Sequence, residues 1–253
     1  MTPSHPPSTS AVCFVGAGPG AAQHLTLGAL RALQEAEVVI HDRLVGAEVL
    51  ALIPSWVLRI DVGKEGFGPT TAQAAINATL VAHATTGARV VRLKGGDCGI
   101  FGRLDEEMDA LEAAGVSFRI LPGLTSATVA AASIGQSLTR RGRNASLRIL
   151  TGHDMAGFAE HDWRGLARAG EVAAIYMGKK SARFLQGRLM MHGAAPGTDV
   201  TIIENVSRPE QRIIGTTLSA LPEAIATCAG PAVILFGLAP RAARSSLAQL
   251  KEA

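Results

Sequence analysis

The sequence has few cysteines and no long apolar run, and each shortage excludes a class of protein. Its three cysteines in 253 residues, Cys13, Cys98 and Cys228, are too few and too widely spaced for a disulfide framework or a zinc site. We therefore expect no metal and a reducing, cytoplasmic location. No apolar stretch reaches the roughly 20 residues that a membrane-spanning helix needs, so we expect no membrane association.

Aromatic residues are scarce too, with one Tyr, two Trp and seven Phe. The formal net charge is only +3, but arginines are clustered, with Arg140, Arg141, Arg143 and Arg148 falling within nine residues. Nucleic acid is one partner for such a basic patch, although stacked bases need aromatic platforms that are scarce here. A small polyanionic substrate fits these arginines equally well, and any one of them could simply solvate a helix face.

The sequence does contain a regular alternation of strands and helices. The first half predicts strands at Val12–Val15, Val38–Ile40, Val57–Val62, Arg89–Leu93 and Ser117–Leu121, and helices at Leu25–Glu37, Thr71–Thr86 and Asp105–Ala114. This rhythm is typical of a largely parallel sheet covered by helices. The second half predicts strands at Ser146–Thr151, Glu171–Met177, Thr198–Glu204 and Ala232–Phe236, and helices at Thr125–Ile134, Ala182–His192 and Leu218–Thr227. Its character is less parallel.

A sharp break at Pro122-Gly123 predicts a domain boundary. We expect an α/β protein with two α/β domains, and a ligand in the cleft between them. The predicted organisation is a disordered tail over 1–10, an N-terminal domain over 11–122, a C-terminal domain over 123–240 and a tail over 241–253.

Two glycine-rich segments, 16–20 and 95–97, follow predicted strands. Glycines at a strand's end let a ligand lie against bare backbone, because no Cβ is in the way. Asp97 then supplies an acceptor, and Arg103 supplies a fixed fork of donors for carboxylates. Two such loops at the carboxyl ends of two strands predict one crevice that holds one ligand.

The first glycine segment also satisfies the dinucleotide fingerprint G-x-G-x-x-G/A, and Asp42 ends the next strand where a ribose ligand would lie. Taken alone, this pattern indicates a nicotinamide cofactor. Pro19 argues against it, because proline lacks the N–H that a pyrophosphate would need there. A plain tight turn between strand and helix explains the pattern as well, so both interpretations stay open.

Taken together, the motifs resemble the uroporphyrinogen-III C-methyltransferases of the tetrapyrrole (precorrin) methylase family. The matching segments keep the family's order over roughly residues 11–240; they are 15–20, 41–45, 62–64, 90–97, 101–103, 122–126, 138–142, 151–153, 176–178 and 208–212. The resemblance implies two α/β domains with S-adenosyl-L-methionine in the cleft between them. It also implies a homodimer that methylates C2 and C7 of uroporphyrinogen III, giving precorrin-2 for sirohaem and cobalamin synthesis.

The resemblance assigns roles to residues of this chain. Asp42 matches the family's proton acceptor and Lys64 its proton donor. Positions that line S-adenosyl-L-methionine, or its product S-adenosyl-L-homocysteine, are matched by Pro19, Gly95, Gly96, Asp97, Ile100, Thr125, Ser126, Met177 and Val206. The substrate is a polycarboxylate, so we expect contacts from Arg92, Arg103, Arg140 and Arg141. The implied partner is this tetrapyrrole, not nucleic acid.

Three departures from the family pattern stand out. Cys98-Gly99 replaces a proline and a bulky residue, so we expect a more mobile cofactor loop. Val206 replaces a glycine, which should add a side chain near the adenine, and residues 65–70 differ from the family's basic loop. These changes keep a non-catalytic tetrapyrrole-binding protein open as an alternative. Sibling precorrin methyltransferases, and distant members that modify rRNA or diphthamide, are further alternatives.

The length before the first strand gives one more expectation. Only ten residues precede it. We therefore expect a stand-alone methyltransferase without the dehydrogenase and chelatase module that fused sirohaem synthases carry.

Overall fold

The apolar strands of the sequence build two five-stranded sheets, one in each half of the chain. The structure is a computed structural model that describes residues 11–63, 72–155 and 157–241. The chain divides into two compact units between Ser126 and Ala127. The predicted tails lie outside the described residues, except for Arg241, and so do Lys64 and the segment 65–70.

The sheet of the first unit is parallel throughout, with strand order β3-β2-β4-β1-β5. Its strands are β1 (Val12–Gly16), β2 (Val38–His41), β3 (Leu58–Asp61), β4 (Val90–Lys94) and β5 (Phe118–Leu121). The inner strands β1, β2 and β4 are buried along their whole length. Strands that are buried along their whole length are typical of a parallel sheet that is covered on both faces, and the predicted α/β class is confirmed.

Helices provide that cover in the first unit. They are α1 (Leu27–Glu35), α2 (Ala47–Leu50), α3 (Gln73–Ala84) and α4 (Leu104–Ala113). Consecutive residues of β1 belong to different buried clusters, because strand side chains alternate between faces. Phe14 packs with Leu80 of α3, and Val15 belongs to the cluster that contains Leu33 of α1.

The order of strands fixes where a ligand site can form in the first unit. From β1 the chain continues to β2, on the far side of β4, and from β4 it continues to β5, on the far side of β1. The two connections therefore leave the centre of the sheet in opposite directions. In open α/β sheets, such a reversal leaves a crevice at the carboxyl ends of the two strands.

The sheet of the second unit is mixed, with strand order β11-β10-β12-β9-β6. The strands are β6 (Arg148–Thr151), β9 (Ala173–Tyr176), β10 (Asp199–Glu204), β11 (Arg212–Thr217) and β12 (Ala232–Phe236). β6 and β9 are parallel, whereas β9, β12, β10 and β11 pair antiparallel in turn. A separate two-stranded ribbon consists of β7 (His153–Asp154) and β8 (Gly157–Phe158).

The helices of the second unit are α5, α6, α7 and α8, which cover Ser126–Ser133, Trp163–Leu166, Ala182–Met191 and Leu221–Ala226. Alternation again sorts the core into two clusters. Ile202 of β10 belongs to the cluster of α7 and α8, and its neighbour Ile203 belongs to the cluster of α5. In the described part of the chain, no helix has the length and apolar character needed to cross a membrane.

Candidate functional site

The glycine loops that follow β1 and β4 are hydrogen-bonded to each other. The Gly18 N–H donates to the Gly96 carbonyl oxygen at 3.0 Å, and the Gly96 N–H donates to the Gly18 carbonyl oxygen at 2.8 Å. The Ala17 N–H adds a third bond to the Lys94 carbonyl oxygen, at 2.8 Å. Neighbouring parallel strands thus bring two segments almost 80 residues apart in the sequence into one backbone structure.

A third loop, after β5, closes against these two. A Cβ atom added at Gly16 would lie 2.6 Å from Gly123 Cα and 2.9 Å from the Gly96 carbonyl oxygen. A Cβ atom added at Gly123 would lie 2.7 Å from the Gly16 carbonyl carbon. The three backbones can approach this closely because Gly16 and Gly123 have no side chain. We call Gly16, Gly96 and Gly123 the glycine junction.

Asp97 ties the junction together with both oxygens of its carboxylate. Oδ1 accepts the Gly99 N–H at 2.9 Å, and Oδ2 accepts the Gly123 N–H at 2.9 Å. The side chain therefore joins its own loop to the loop after β5. Asp97 therefore fixes the backbone of both loops. Its effect on a ligand is indirect, through the backbone that it holds.

Open space lies beside Gly96. This residue has φ +73°, and a Cβ atom built there would meet only the Ser126 hydroxyl oxygen within 4 Å, at 3.9 Å. Thr125 and Ile100 are half-buried on the adjoining segments, and the Ile100 N–H donates to the Asp97 carbonyl oxygen at 3.3 Å. Bare backbone and a hydroxyl group thus line a space that a ligand can enter; Gly95 is half-buried next to it, and Pro19 is buried.

Cys98 changes the expectation of a loosened loop. Its side chain is fully buried in the cluster that contains Phe14 and Leu80, and the next residue, Gly99, donates to Asp97. Burial, followed by the nearby charge of Asp97, raises the pKa of the Cys98 thiol to about 12. The sulfur is therefore an apolar anchor for the loop, which offsets the loss of the fixed proline φ.

Arg103, the residue just before α4, has a strained backbone conformation. Its φ of 53° and that of Phe101, 52°, lie in the left-handed region that favours glycine. The exposed Arg103 guanidinium forms a two-pronged pair with Glu106, from Nε at 2.7 Å and from Nη2 at 2.6 Å. This hydrogen bonding holds the pKa of Glu106 below its usual range. Glu106 thus uses two donors of this guanidinium, and a substrate-binding role for Arg103 stays a prediction.

Arg92 lies where a substrate cannot reach it. Its side chain is 1% exposed, and its Nη2 donates to Asp42 Oδ1 at 2.5 Å and to Glu107 Oε1 at 2.9 Å. Burial alone would lower the pKa of Arg92, but the charges of Asp42 and Glu107 outweigh it and raise the pKa. This geometry corrects the expectation that Arg92 binds substrate carboxylates, because this chain's own carboxylates already use its donors.

Glu107 joins Arg92 to a second buried cation. Glu107 is 1% exposed, and its Oε1 also accepts a bond from Lys94 Nζ at 2.8 Å. Two cations and two carboxylates thus form a neutral group, which we call the buried charge cluster: Asp42, Arg92, Lys94 and Glu107. Asp42 is its most exposed member, with 32% of its side chain accessible. Sequence reasoning missed Glu107, because acidic residues in a helix's first turn are commonplace.

In the second unit, the predicted cofactor residues lie on strained turns after strands. Met177 follows β9 with φ 54° and an exposed side chain. Val206 lies between Asn205 at φ 52° and Ser207 at φ 64°, and its side chain is buried in the cluster of α5. The Val206 side chain thus packs into the core, and its proximity to the adenine stays a prediction. The backbone of this turn is what a ligand could meet.

Arg140 and Arg141 are exposed on a loop that Asn144 organises. Asn144 Oδ1 accepts the Arg140 N–H at 3.1 Å and Arg143 Nε at 3.0 Å, and its Nδ2 donates to two carbonyl oxygens of the same segment. Arg143 also donates to the Ser137 carbonyl oxygen at 2.7 Å. Of these three arginines, Arg143 fixes the loop, and Arg140 and Arg141 are available to an anion.

Lys64, the predicted proton donor, lies outside the described residues, so its role stays a prediction.

Across residues 11–63, 72–155 and 157–241, no group of three or more His, Cys, Asp or Glu side chains is arranged to hold a metal ion.

Sequence comparison places this geometry among known proteins. The family described as Tetrapyrrole (Corrin/Porphyrin) Methylases matches residues 11–222. Siroheme synthase of Edwardsiella ictaluri (strain 93-146) is 44% identical over 226 residues, covering 89% of this chain and 49% of that protein. Siroheme synthase 1 of Yersinia pseudotuberculosis serotype I (strain IP32953) is 41% identical over 226 residues, covering 89% of this chain and 48% of that protein. The chain thus spans about half the length of these curated relatives.

Solved structures agree with this result. Uroporphyrin-III C-methyl transferase from Thermus thermophilus, complexed with S-adenyl homocysteine, is 35% identical with a TM-score of 0.77. The match covers 89% of this chain and 96% of that one. The structure of a cobalt precorrin-4 methyltransferase is 24% identical with a TM-score of 0.79, and the match covers 89% of this chain and 94% of that one. At this identity it supports the fold alone.

Proposed function

The chain belongs to the tetrapyrrole (corrin/porphyrin) methylase family, and from this membership we propose that it methylates uroporphyrinogen III at C2 and C7 to give precorrin-2, with S-adenosyl-L-methionine as methyl donor. The observation that carries the proposal is the glycine junction, with open space beside Gly96 and the charged Asp42 at the end of a neighbouring strand. Similarity to the T. thermophilus enzyme supports the same cofactor and substrate.

The residues at the carboxyl ends of β1 and β4 fit this cofactor. S-adenosyl-L-methionine has a cationic sulfonium and a neutral adenine, so it needs close backbone and acceptors but no phosphate cradle. Gly96 offers bare backbone beside the Ser126 hydroxyl, and Pro19 lacks an N–H that only a phosphate would need. Further cofactor contacts in this proposal come from Gly95, Asp97, Ile100, Thr125, Met177 and the backbone at Val206.

The chain's own residues then supply positioning and proton transfer. When bound, the cofactor supplies an electrophilic methyl group. Arg103, Arg140 and Arg141 orient the carboxylates of the substrate through charge-assisted hydrogen bonds. Asp42 accepts the proton that leaves the macrocycle, since its carboxylate is partly exposed and one of its oxygens is fixed by Arg92. Lys64 acts as proton donor in the same scheme.

The cellular setting is part of the proposal. The product serves sirohaem or cobalamin synthesis in the cytoplasm, which suits three free, buried cysteines. The active form is a homodimer, as in the branch of the family that this sequence resembles. Light scattering after size-exclusion chromatography tests this point, and a mass of a single chain at assay concentration contradicts it.

One assay tests the proposed reaction directly. The purified chain is incubated with uroporphyrinogen III and methyl-labelled S-adenosyl-L-methionine, and the products are separated by mass. We expect label in a tetrapyrrole that has gained two methyl groups. Label in added rRNA, or binding of the tetrapyrrole with no transfer and no affinity for S-adenosyl-L-homocysteine, contradicts the proposal.

A further inference from the structure

The buried charge cluster supports one inference, which rests on the proposed function. We propose that Glu107 is a positioning residue for methyl transfer. Glu107 fixes the guanidinium of Arg92. Through Arg92 it fixes the position of the Asp42 carboxylate, and it also limits the positive charge that acts on this carboxylate.

The geometry of the Arg92 guanidinium carries the first step. Glu107 holds it at two points, with Oε2 at 3.1 Å from Nε and Oε1 at 2.9 Å from Nη2. Two parallel bonds fix both the position and the plane of a guanidinium, which a single bond cannot do. The same Nη2 reaches Asp42 Oδ1 at 2.5 Å. The direction in which Arg92 presents a donor to Asp42 is therefore set by Glu107.

Charge balance carries the second step. A carboxylate that accepts a proton must give up part of its attraction to a neighbouring cation. Arg92 shares its positive charge between Glu107 and Asp42, and Lys94 is occupied by Glu107 as well. Without Glu107, Asp42 would be the remaining carboxylate partner of Arg92 in the cluster, and the buried Lys94 would lose its carboxylate partner there. Proton acceptance by Asp42 would then cost more, so Glu107 keeps the carboxylate usable as a base.

Fold stability alone does not account for the cluster. Taking charges out of water costs about as much as the ion pairs return, and well-packed apolar side chains of similar volume often serve a core equally well. Here Arg92 links the buried Glu107 to one partly exposed carboxylate, Asp42, which lies next to the glycine loop after β4. A positioning role explains both the burial of Glu107 and this location.

The test compares Glu107→Gln with the wild type in the labelled-methyl assay. The variant keeps the shape of the side chain and removes its charge. We expect kcat to fall about 10–100-fold, a part of the roughly 10²–10⁴-fold that a general base contributes. The KM for uroporphyrinogen III and the Kd for S-adenosyl-L-homocysteine should stay within about twofold, because Glu107 is too deeply buried to touch either ligand.

Matched variants separate positioning from general damage. Gln73→Leu is the control, since Gln73 Nε2 also contacts Glu107 Oε1, at 3.3 Å, from the side of α3. It should keep the wild-type kcat. Glu107→Asp keeps the charge and should recover part of the lost rate. In an Arg92→Met background, Glu107→Gln should lower kcat by less than about threefold further, because residues that act through one another are not additive.

The outcomes are distinguishable. A wild-type kcat in Glu107→Gln, or a parallel loss of kcat, cofactor affinity and melting temperature, overturns the inference. If Glu107→Gln does not fold, Glu107→Asp replaces it, and a lowered kcat with normal S-adenosyl-L-homocysteine binding supports the inference, whereas a normal kcat overturns it. Failure of the wild type to methylate uroporphyrinogen III overturns the proposed function instead.

Discussion

At the scale of single residues, the carboxylate of Asp97 holds two loops together, its own loop after β4 and the loop after β5. Replacing it with Ala leaves the N–H groups of Gly99 and Gly123 without their acceptors. We expect Asp97→Ala to lower the free energy of unfolding by about 1–3 kcal/mol in urea titrations. We also expect weaker binding of S-adenosyl-L-homocysteine by calorimetry, because the cofactor loop loses its tie to Gly123. Asp97→Asn keeps only one of the two acceptor oxygens, so its loss of stability should be smaller than that of Asp97→Ala. Unchanged binding in Asp97→Ala would place the cofactor elsewhere.

The three cysteines make a second residue-scale prediction. All are buried, and burial raises the pKa of Cys13 and of Cys228 as well as that of Cys98. Thiolates are the reactive form, so native protein at about pH 8 should react with a thiol reagent only slowly. After unfolding in urea, all three thiols should react. Rapid labelling of any cysteine in the native protein contradicts this burial.

Residues differ in how well the sequence predicts them. The glycine positions were recognisable, because few other residues can occupy a strand end where backbones touch. The role of Arg92 was not, since an arginine within a strand can face solvent or a buried partner. Its partner, Glu107, lies in the next helix and gives no signal in its own segment. Tertiary context decided between an arginine that binds substrate and one that binds this chain.

At the scale of elements, all nine predicted strands form, but β11 (Arg212–Thr217) was missed. Gly215 in its middle weakens the strand pattern, and both neighbouring segments are rich in turn residues. The strand exists because β10 offers an antiparallel edge along its whole length. The short helices α2 and α6 were also missed, since four residues are too few to show helical periodicity.

The junction of β10 and β11 predicts a pH dependence. Burial disfavours the charged form of Glu204, but hydrogen bonding from the Gly230 N–H and the charge of Arg212 outweigh it and lower its pKa. A lowered pKa contributes stability that is complete above the ordinary value of about 4.3 and is lost as pH falls through the folded-state value. Glu204→Gln should therefore be less stable than wild type at about pH 7, by about 1–3 kcal/mol.

The measurement is the urea midpoint of both proteins from about pH 7 to about pH 3. The difference in urea midpoint between wild type and Glu204→Gln should become smaller at the acid end, because only the wild type has a carboxylate at position 204 that is protonated there. Comparing the two proteins cancels the other carboxylates whose pKa is lowered, such as Glu106 and Asp162. A gap that is the same at both ends contradicts the assigned role of Glu204.

The loop from Ser137 to Asn144 carries three arginines, and we expect Arg140 and Arg141 to bind substrate and Arg143 to stabilise the loop. Arg140→Ala and Arg141→Ala remove exposed charges and should each raise the KM for uroporphyrinogen III about tenfold or more, with little effect on stability or on S-adenosyl-L-homocysteine binding. Arg143→Ala removes bonds to Ser137 and Asn144 and should lower the melting temperature. A loss of cofactor affinity equal to the loss of substrate affinity in the first two variants marks them as structural.

At the scale of the whole molecule, the parallel sheet was predictable because its strands alternate with helices, and the mixed sheet only in outline. The assignment to a methylase predicts a specific ligand response. S-adenosyl-L-homocysteine at about 100 times its Kd should add roughly 2.7 kcal/mol of stability and raise the melting temperature by about 5 °C or more. NADH, the ligand that the dinucleotide fingerprint indicates, should leave it unchanged. A shift with NADH and none with S-adenosyl-L-homocysteine contradicts the assignment.

The glycine junction also has a consequence for how this chain can vary. Where side chains meet, a change in one is often absorbed by a smaller neighbour or another rotamer. Gly16 and Gly123 have no rotamers, and the atoms that a Cβ there would meet are backbone atoms of each other and of Gly96. No second-site side-chain change can make room for a Cβ at Gly16 or Gly123. A library randomised at these two positions and selected for activity should return glycine at both, without compensating partners.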